Sequence, residues 1–281
     1  MKNILLPTDF SKNSLNAIHF AIDLFKGDAC KFYLLNVQKA SSFISDDMMA
    51  VNSSATIYKT IINAAKKSIE NIILNIETNY PYENFEFYSI VDYDNFIDAI
   101  NQITISKQID LIIMGTKGAS GLAKTLFGSN TVRVIQRCTA PVLVIPDNCK
   151  HTDLNTIAFT TNNLPLFNLQ ELEPLKECMD KYHAKLKILH VADEHHLAQN
   201  QSRNKIFFET HFTDATHDFI DSNAQDIFYA VQHYLKNNDV KLLAMMSKKH
   251  SFIERLFTRH LVETFAFKID IPFLVMHSQS I

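Results

Sequence analysis

The sequence predicts an α/β protein made of two tandem open parallel-sheet domains. Three observations carry this. Apolar runs of strand length alternate with segments of helical period, the order expected of a parallel sheet covered on both faces. The second half repeats that order, and from Met114 to Pro141 the halves align without a gap at an offset of 131 residues. Finally, four of the five glycines in 281 residues (Gly115, Gly118, Gly121 and Gly128) fall in one strand-to-helix loop, leaving only Gly27 elsewhere.

In chain order, KNILL (2–6) has the length and composition of a short buried strand. Leu15, Ile18, Ile22 and Phe25 then keep helical spacing, with Ser11 as N-cap and Gly27 as C-cap. KFYLLNV (31–37) is the second strand, followed by a polar loop around Ser41, Ser42, Ser45 and Asp46. A long helix marked by Ile57, Ile61, Ala64, Ile69, Ile72 and Ile76 must stop before Pro81. FEFYSIV (85–91) is a strand, 94–107 a helix through Phe96, Ile100 and Ile103, and DLIIMG (110–115) a strand entering the glycine loop. A helix from Ser129 to Arg137 precedes the strand PVLVIP (141–146).

The repeat then begins. NTIAFT (155–160) answers KNILLP, KLKILHV (185–191) answers KFYLLNV, DVKLLAMM (239–246) answers QIDLIIMG, and DIPFLVMH (270–277) answers TAPVLVIP. The period is too long for a solenoid unit and marks a duplicated domain. The domains are placed at 1–147 and 154–281, joined near PDNCKHTD (146–153). The long helix of the first half has no full counterpart, since 193–213 is shorter, more polar and richer in histidine.

Composition narrows the function. Hydrophobic residues are 47% and charged residues 20%, with net charge −3, so no global field favours nucleic acid or an anionic membrane. The opening MKNILLPTDF is too short in apolar residues for a signal peptide, and no later run reaches the roughly 18 residues of a membrane span. Cys30, Cys138, Cys149 and Cys178 lie far apart without a C-x-x-C, which suits a reducing cytoplasm.

The glycine loop is the candidate site. Open parallel sheets bind ligands beyond the carboxyl ends of their strands, where strand order reverses. Gly115 ends a strand, and Ser129 opens a helix whose free N–H groups and dipole favour an anion. Glycines between them let backbone amides curl around a phosphate. The loop lacks the G-K-[ST] of a Walker sequence and the G-x-G-x-x-G of a dinucleotide fingerprint. Glycines in such a loop also serve a plain tight turn, which is the competing reading. Lys117 and Lys124 stand within reach of a phosphate, although loop lysines more often face only water.

The spacing Gly115-x₂-Gly118-x₉-Gly128-Ser129, with the opening ILLPTDFS and the closing PVLVIP, resembles the nucleotide-binding signature of the universal stress protein family. The specific motifs cover 1–146; over 151–281 only the plan of strands and helices is kept. The resemblance implies a Rossmann-like fold of the adenine nucleotide alpha hydrolase type. It implies ATP, with or without Mg²⁺, as the ligand of a stress-response regulatory protein. It places Asp9, beside Pro7 and Thr8, at the nucleoside end, and a backbone group of Val37 at the adenine edge. Met114 and Gly115 would flank the ribose; Gly118, Gly128 and Ser129 would hold the phosphates, with Lys117, Asn130 and Thr131 close by. The resemblance also implies pairing through the last strand, here Pro141–Pro146, either in a homodimer or internally with Pro272–His277 as an intramolecular pseudo-dimer.

The second half works as an internal control. At aligned positions Gly115 becomes Met246, Gly118 becomes Lys249, Gly128 becomes Arg259 and Ser129 becomes His260, while Asp9 corresponds to Asn162 and Pro7 to Thr160. A fold built without those residues does not require them, so the glycines point to a ligand in the first half only. His190, His195 and His196, beside Asp193 and Glu194, bring imidazole and carboxylate together, but without H-x₃-H or H-E-x-x-H spacing no metal site is assigned. SKKHSFIERLFTRH (247–260) is basic but isolated, which gives no nucleic-acid face. Three functional classes stay open: a nucleotide-dependent regulator, a slow ATPase, and a scaffold that binds no nucleotide.

Overall fold

A computed structural model describes residues 1–38, 51–93, 95–116, 128–147, 149–161, 167–191, 199–220, 227–247 and 270–277. In the first half these form β1 (Lys2–Pro7), α1 (Lys12–Leu24), β2 (Cys30–Val37), α2 (Val51–Asn79), β3 (Phe85–Asp92), α3 (Phe96–Ser106), β4 (Leu111–Gly115), α4 (Ser129–Arg137) and β5 (Val142–Ile145). The second half has β6 (Thr156–Thr161), α5 (Glu173–Tyr182), β7 (Lys185–Val191), α6 (Gln199–His211), β8 (Thr216–Ile220), α7 (Ile227–Asn237), β9 (Leu242–Ser247) and β10 (Phe273–His277), with one 3₁₀ turn (Gln170–Leu172) leading into α5.

All ten strands join one sheet in the order β3-β2-β1-β4-β5-β10-β9-β6-β7-β8. Every pairing within a half is parallel. The seam between halves is antiparallel, with Phe273 opposite Val144, Leu274 opposite Leu143 and Val275 opposite Val142. Of the two pairings expected for PVLVIP, the structure contains the internal one. An apolar edge strand left bare is a template for aggregation, and each half covers the other's.

Hydrophobic alternation sorts side chains to two layers. One face carries Ile97, Ile100 and Ile103 of α3, Val134 and Ile135 of α4, and Val231 and Leu235 of α7. The other takes Ala17, Ile18 and Ile22 of α1, Ile69 and Ile76 of α2, Leu175 of α5, and Phe208 of α6. Both layers run across the seam, since each contains residues of β5 and β10. His277, at the end of β10, donates from Nε2 to the carbonyl of Ile135 in α4 at 2.7 Å, tying the halves through the last turn of that helix.

Helix ends explain where the glycines are not used. Ser11 caps α1, accepting from the Ser14 N–H at 3.2 Å, as its position predicts. The expected C-cap at Gly27 is displaced: Phe25 caps the helix, and Gly27 sits two residues later in the turn to β2 with φ +82°. Elsewhere, residues with a Cβ take the left-handed position after helices: Gln108 (φ 49°) after α3, His183 (φ 48°) after α5 and Asp239 (φ 49°) after α7. Each is followed by a bond closing the helix end, Ile109 N–H to Thr104 O, Ala184 N–H to Met179 O and Val240 N–H to Leu235 O, all at 3.0 Å. This is the Schellman arrangement usually made with glycine. Replacing Gln108 by Gly is expected to raise stability by about 0.5–1 kcal/mol, because the left-handed strain of a Cβ disappears. Urea denaturation of Gln108→Gly checks it, and a lower midpoint would contradict the assignment.

Candidate crevice at the carboxyl edge of the first half

From β1 the chain moves outward to β2 and β3, then returns to place β4 on the other side of β1. The β1/β4 boundary is therefore the switch point, where connections leave in opposite directions and open a crevice at the carboxyl edge. Pro7, Thr8, Asp9, Val37, Met114 and Gly115 all lie at this edge, and Gly128, Ser129, Asn130 and Thr131 start the helix that follows β4. Lys117 and Gly118 lie outside the described residues.

The end of β1 is built as a rigid turn. Thr8 N–H donates to Leu35 O at 2.8 Å, continuing the ladder to β2. Its buried hydroxyl accepts from Phe10 N–H at 3.0 Å and lies 3.0 Å from the Ser14 hydroxyl. Phe10 takes φ 63°, so the chain reverses sharply. Asp9 is thrown outward and exposed, and its Oδ1 accepts from Ser11 N–H at 3.1 Å. That local bond is the Asx turn by which aspartate holds its own backbone two residues on.

Asn36, which sequence reasoning passed over, locks this turn from the neighbouring strand. It is buried, its amide donates to Thr8 O at 2.8 Å, and its oxygen accepts from the Gln38 amide. The signal was present: an asparagine near the end of an otherwise apolar strand must find partners or weaken the sheet. The repeat places His190 at the same point of β7.

At β4, Met114 pairs with Val144 and Gly115 with Ile145. A Cβ on Gly115 would come within 2.8 Å of Asn13 Cγ, so this glycine admits a close approach by α1. The Asn13 amide reaches the Thr116 hydroxyl at 3.4 Å. Thr116 N–H donates to Ile145 O at 3.1 Å, and Gly128 N–H donates to Thr116 O at 2.7 Å, which brings both ends of the glycine loop together. Thr131 is buried, and its hydroxyl donates a three-centre bond to Gly115 O (3.0 Å) and Thr116 O (3.1 Å). It thus fixes α4 against the end of β4.

The start of α4 differs from those of α1 and α3, while α5 likewise begins without a side-chain cap. Side chains of Ser11 and Asn95 cap α1 and α3, whereas α4 is capped by Gly128, in extended backbone (φ −67°, ψ 153°), with no side-chain hydrogen bond. Gly128 offers no side chain to its first N–H groups, and a helix start of this kind suits an anion. Removing the strap behind it has a calculable effect. Thr131→Val deletes the hydroxyl proton that bonds the carbonyls of Gly115 and Thr116 to α4 and is expected to cost about 1–2 kcal/mol. Urea denaturation measures this, and an unchanged midpoint would show that the hydroxyl bonds contribute nothing.

A family model described as the universal stress protein family matches residues 1–146, just over half the chain. This chain belongs to the universal stress protein family. A universal stress protein of Methanocaldococcus jannaschii, MJ0531, is 29% identical over 144 residues, spanning 51% of this chain and 81% of the relative. Universal stress protein Rv1636 of Mycobacterium tuberculosis is 25% identical over 150 residues, spanning 51% of this chain and 95% of its own. A solved universal stress protein from Archaeoglobus fulgidus superposes on 97% of this chain and 95% of its own with a TM-score of 0.65 at 16% identity. The fold of that universal stress protein therefore extends across both halves.

In the second half, the residue at the place of Asn36 makes different contacts. His190 is buried; its Nε2 lies 2.9 Å from Nδ1 of His217 on β8, and its ring stacks on Phe219 at 4.5 Å. Tyr234 of α7 donates to Asp218. Among the described residues no group of three His, Cys, Asp or Glu side chains is placed to hold a metal ion, and no helix is long and apolar enough to cross a membrane. His195, His196, Lys249, Arg259 and His260 fall outside the described residues.

Proposed function

We propose that this universal stress protein is a cytoplasmic regulator that binds one adenine nucleotide, ATP, in a first domain of residues 1–147. The second domain, residues 154–281, is a degenerate copy that binds none. The observation that carries this reading is the uncapped start of α4 beside the β1/β4 switch point. A helix start without a side-chain cap, next to a strand-end loop holding three further glycines, suits a polyphosphate. Asp9, exposed at the end of β1, accepts from a ribose hydroxyl or an amine, and the backbone of Val37 meets the base edge. Met114 and Gly115 border the sugar. Lys117, Gly118, Gly128, Ser129 and Asn130 hold the phosphates with amides, hydroxyls and one cation. Mg²⁺, where present, rides on the phosphates, since Asp9 is the one carboxylate in the set and is placed at the nucleoside end. Bound ATP places negative charge at the start of α4, whose last turn touches His277 of the second half.

Nucleotide released from freshly purified, denatured protein, identified by chromatography and mass spectrometry, tests the reading. One equivalent of adenine nucleotide is expected. Titration of ATP into Gly118→Lys, which copies Lys249 of the repeat, is expected to show binding weakened at least 100-fold. No retained nucleotide, together with no binding up to millimolar ATP (an affinity weaker than about −4 kcal/mol), would leave a scaffold. Phosphate release under the same conditions separates a regulator from a slow ATPase.

A further inference from the structure

On the face carrying α1 and α5, the two helices stand apart over the centre of the sheet and leave a cavity of about 550 Å³ at the seam between halves. Its floor is made by four leucines, one from each of four neighbouring strands: Leu111, Leu143, Leu274 and Leu242. Phe25 at the end of α1 and Cys178 and Tyr182 of α5 form its walls. Protein interiors rarely keep voids larger than a water molecule, whereas this volume lies in the range of small-molecule pockets. It lies near the start of β4, at the opposite end from Gly115, and does not depend on the nucleotide reading.

The polar groups around the cavity are already engaged in ways that leave an apolar interior. The Tyr182 hydroxyl donates to Leu24 O at 2.8 Å and lies 3.1 Å from His151 Nε2. At the rim, Lys2 pairs with Glu177 at 2.5 Å, and Lys181 pairs with Asp28. The Lys181 ammonium also lies over the rings of Phe25 (5.5 Å) and Tyr182 (5.8 Å). Both ion pairs join one half to the other, so they latch the mouth across the seam. The two lysines are thereby occupied, and two more carboxylates, Asp110 and Asp180, line the same cavity. Side-chain charge at the rim is therefore negative.

We propose that this seam cavity is a binding site for an apolar small molecule that is uncharged or cationic. An acid of similar size is disfavoured, because four carboxylates (Asp28, Asp110, Glu177 and Asp180) outnumber Lys2, Lys181 and the Met1 α-ammonium around the cavity. The occupant bridges the halves beneath the ion-pair latches.

The test is titration of the full-length protein with N-phenyl-1-naphthylamine, a neutral fluorescent probe, against the anionic probe 8-anilinonaphthalene-1-sulfonate. Saturable binding of about one equivalent of the neutral probe is expected, with the anionic probe at least tenfold weaker. Cys178→Trp, which fills the wall, should weaken the neutral probe at least tenfold. Phe219→Ala, which removes an exposed aromatic on β8, should leave binding unchanged. Absence of saturable binding, loss of binding in Phe219→Ala, or undiminished binding in a folded Cys178→Trp protein would overturn the site. Equal binding of the anionic probe would overturn the assigned charge. Should Cys178→Trp fail to fold, irradiation of wild type with benzophenone decides: adducts on 24–28 and 174–182 support the cavity, and adducts only elsewhere refute it.

Discussion

Acidification from pH 6.5 to pH 4 is expected to remove about 3 kcal/mol of stability through one residue, His190. Burial first, and the adjacent His217 imidazole second, push His190 down to about 4. The ring geometry supplies the reason. Nε2 of His190 faces Nδ1 of His217 at 2.9 Å, so one ring donates and the other accepts. A further proton would place a positive charge on a buried ring packed against His217 and Phe219, away from water.

The sign follows from linkage. Between its folded value near 4 and the ordinary 6.5, His190 is neutral when folded and protonated when unfolded. The unfolded chain then binds more protons, so stability rises with pH across this window and falls as the pH is lowered through it. Above pH 6.5 the contribution is flat. His277 and His151 are also held below their ordinary values, chiefly by burial, and act in the same direction. Denaturation midpoints of wild type and His190→Asn, measured from pH 7 to pH 4, check the assignment. The variant installs the residue that stands at the matching place in β2, and its profile should be markedly flatter. Equal slopes would show that His190 carries a proton in the folded protein.

Phe273→Ala is expected to cost about 3–5 kcal/mol and to lower the melting of both halves together. Phe273 is fully buried, opposite Val144 across the seam and beside Leu243 in β9. Its ring belongs to the layer containing Ile100 and Ile135 of the first half and Val231 and Leu235 of the second. A cavity there weakens a core that neither half owns alone. Urea denaturation followed by circular dichroism and by tyrosine fluorescence should give one coincident transition, moved to lower urea. Two separated transitions, with only the later strands affected, would mean that the halves fold independently. Tyr82→Ala is the control: that ring is 98% exposed, and its loss should move stability by less than about 0.5 kcal/mol.

The strands were readable because each is a short apolar run with clear punctuation. KLKILHV is found as Lys185–Val191, and the helix expected at Ser129–Arg137 has those bounds. The repeated order made the second half legible as well, down to the turn: Gln108 and Asp239 stand at equivalent places and both take left-handed backbone. Helix termination was less visible. A sequence rule reserves that conformation for glycine, but tertiary packing imposed it on Gln108, His183 and Asp239 and left Gly27 beyond the cap.

For the candidate site, the residues with distinctive chemistry could be named beforehand and those that position them could not. Asp9 and the glycines stand out by type and spacing. Asn36, Asn13 and Ser14 are common polar residues whose importance depends on which backbone group lies opposite. Asn36 meets Thr8 across two strands, a relation 28 residues apart in sequence. Thr131 is named for its closeness to phosphate, and the structure adds that its hydroxyl bonds the carbonyls of Gly115 and Thr116.

The sequence by itself determined the α/β class, the repeated order of strands and helices, and the location of the glycine loop. Those properties reside in periodicity, repetition and composition, which are local and need no partner. Only the tertiary structure decided that β5 and β10 close one sheet antiparallel, that His277 reaches Ile135, and that four leucines from separate strands floor one cavity. Each depends on contacts between residues distant in the chain, and the free energy of such contacts comes from the surfaces they bury together. No single stretch of sequence records that shared surface.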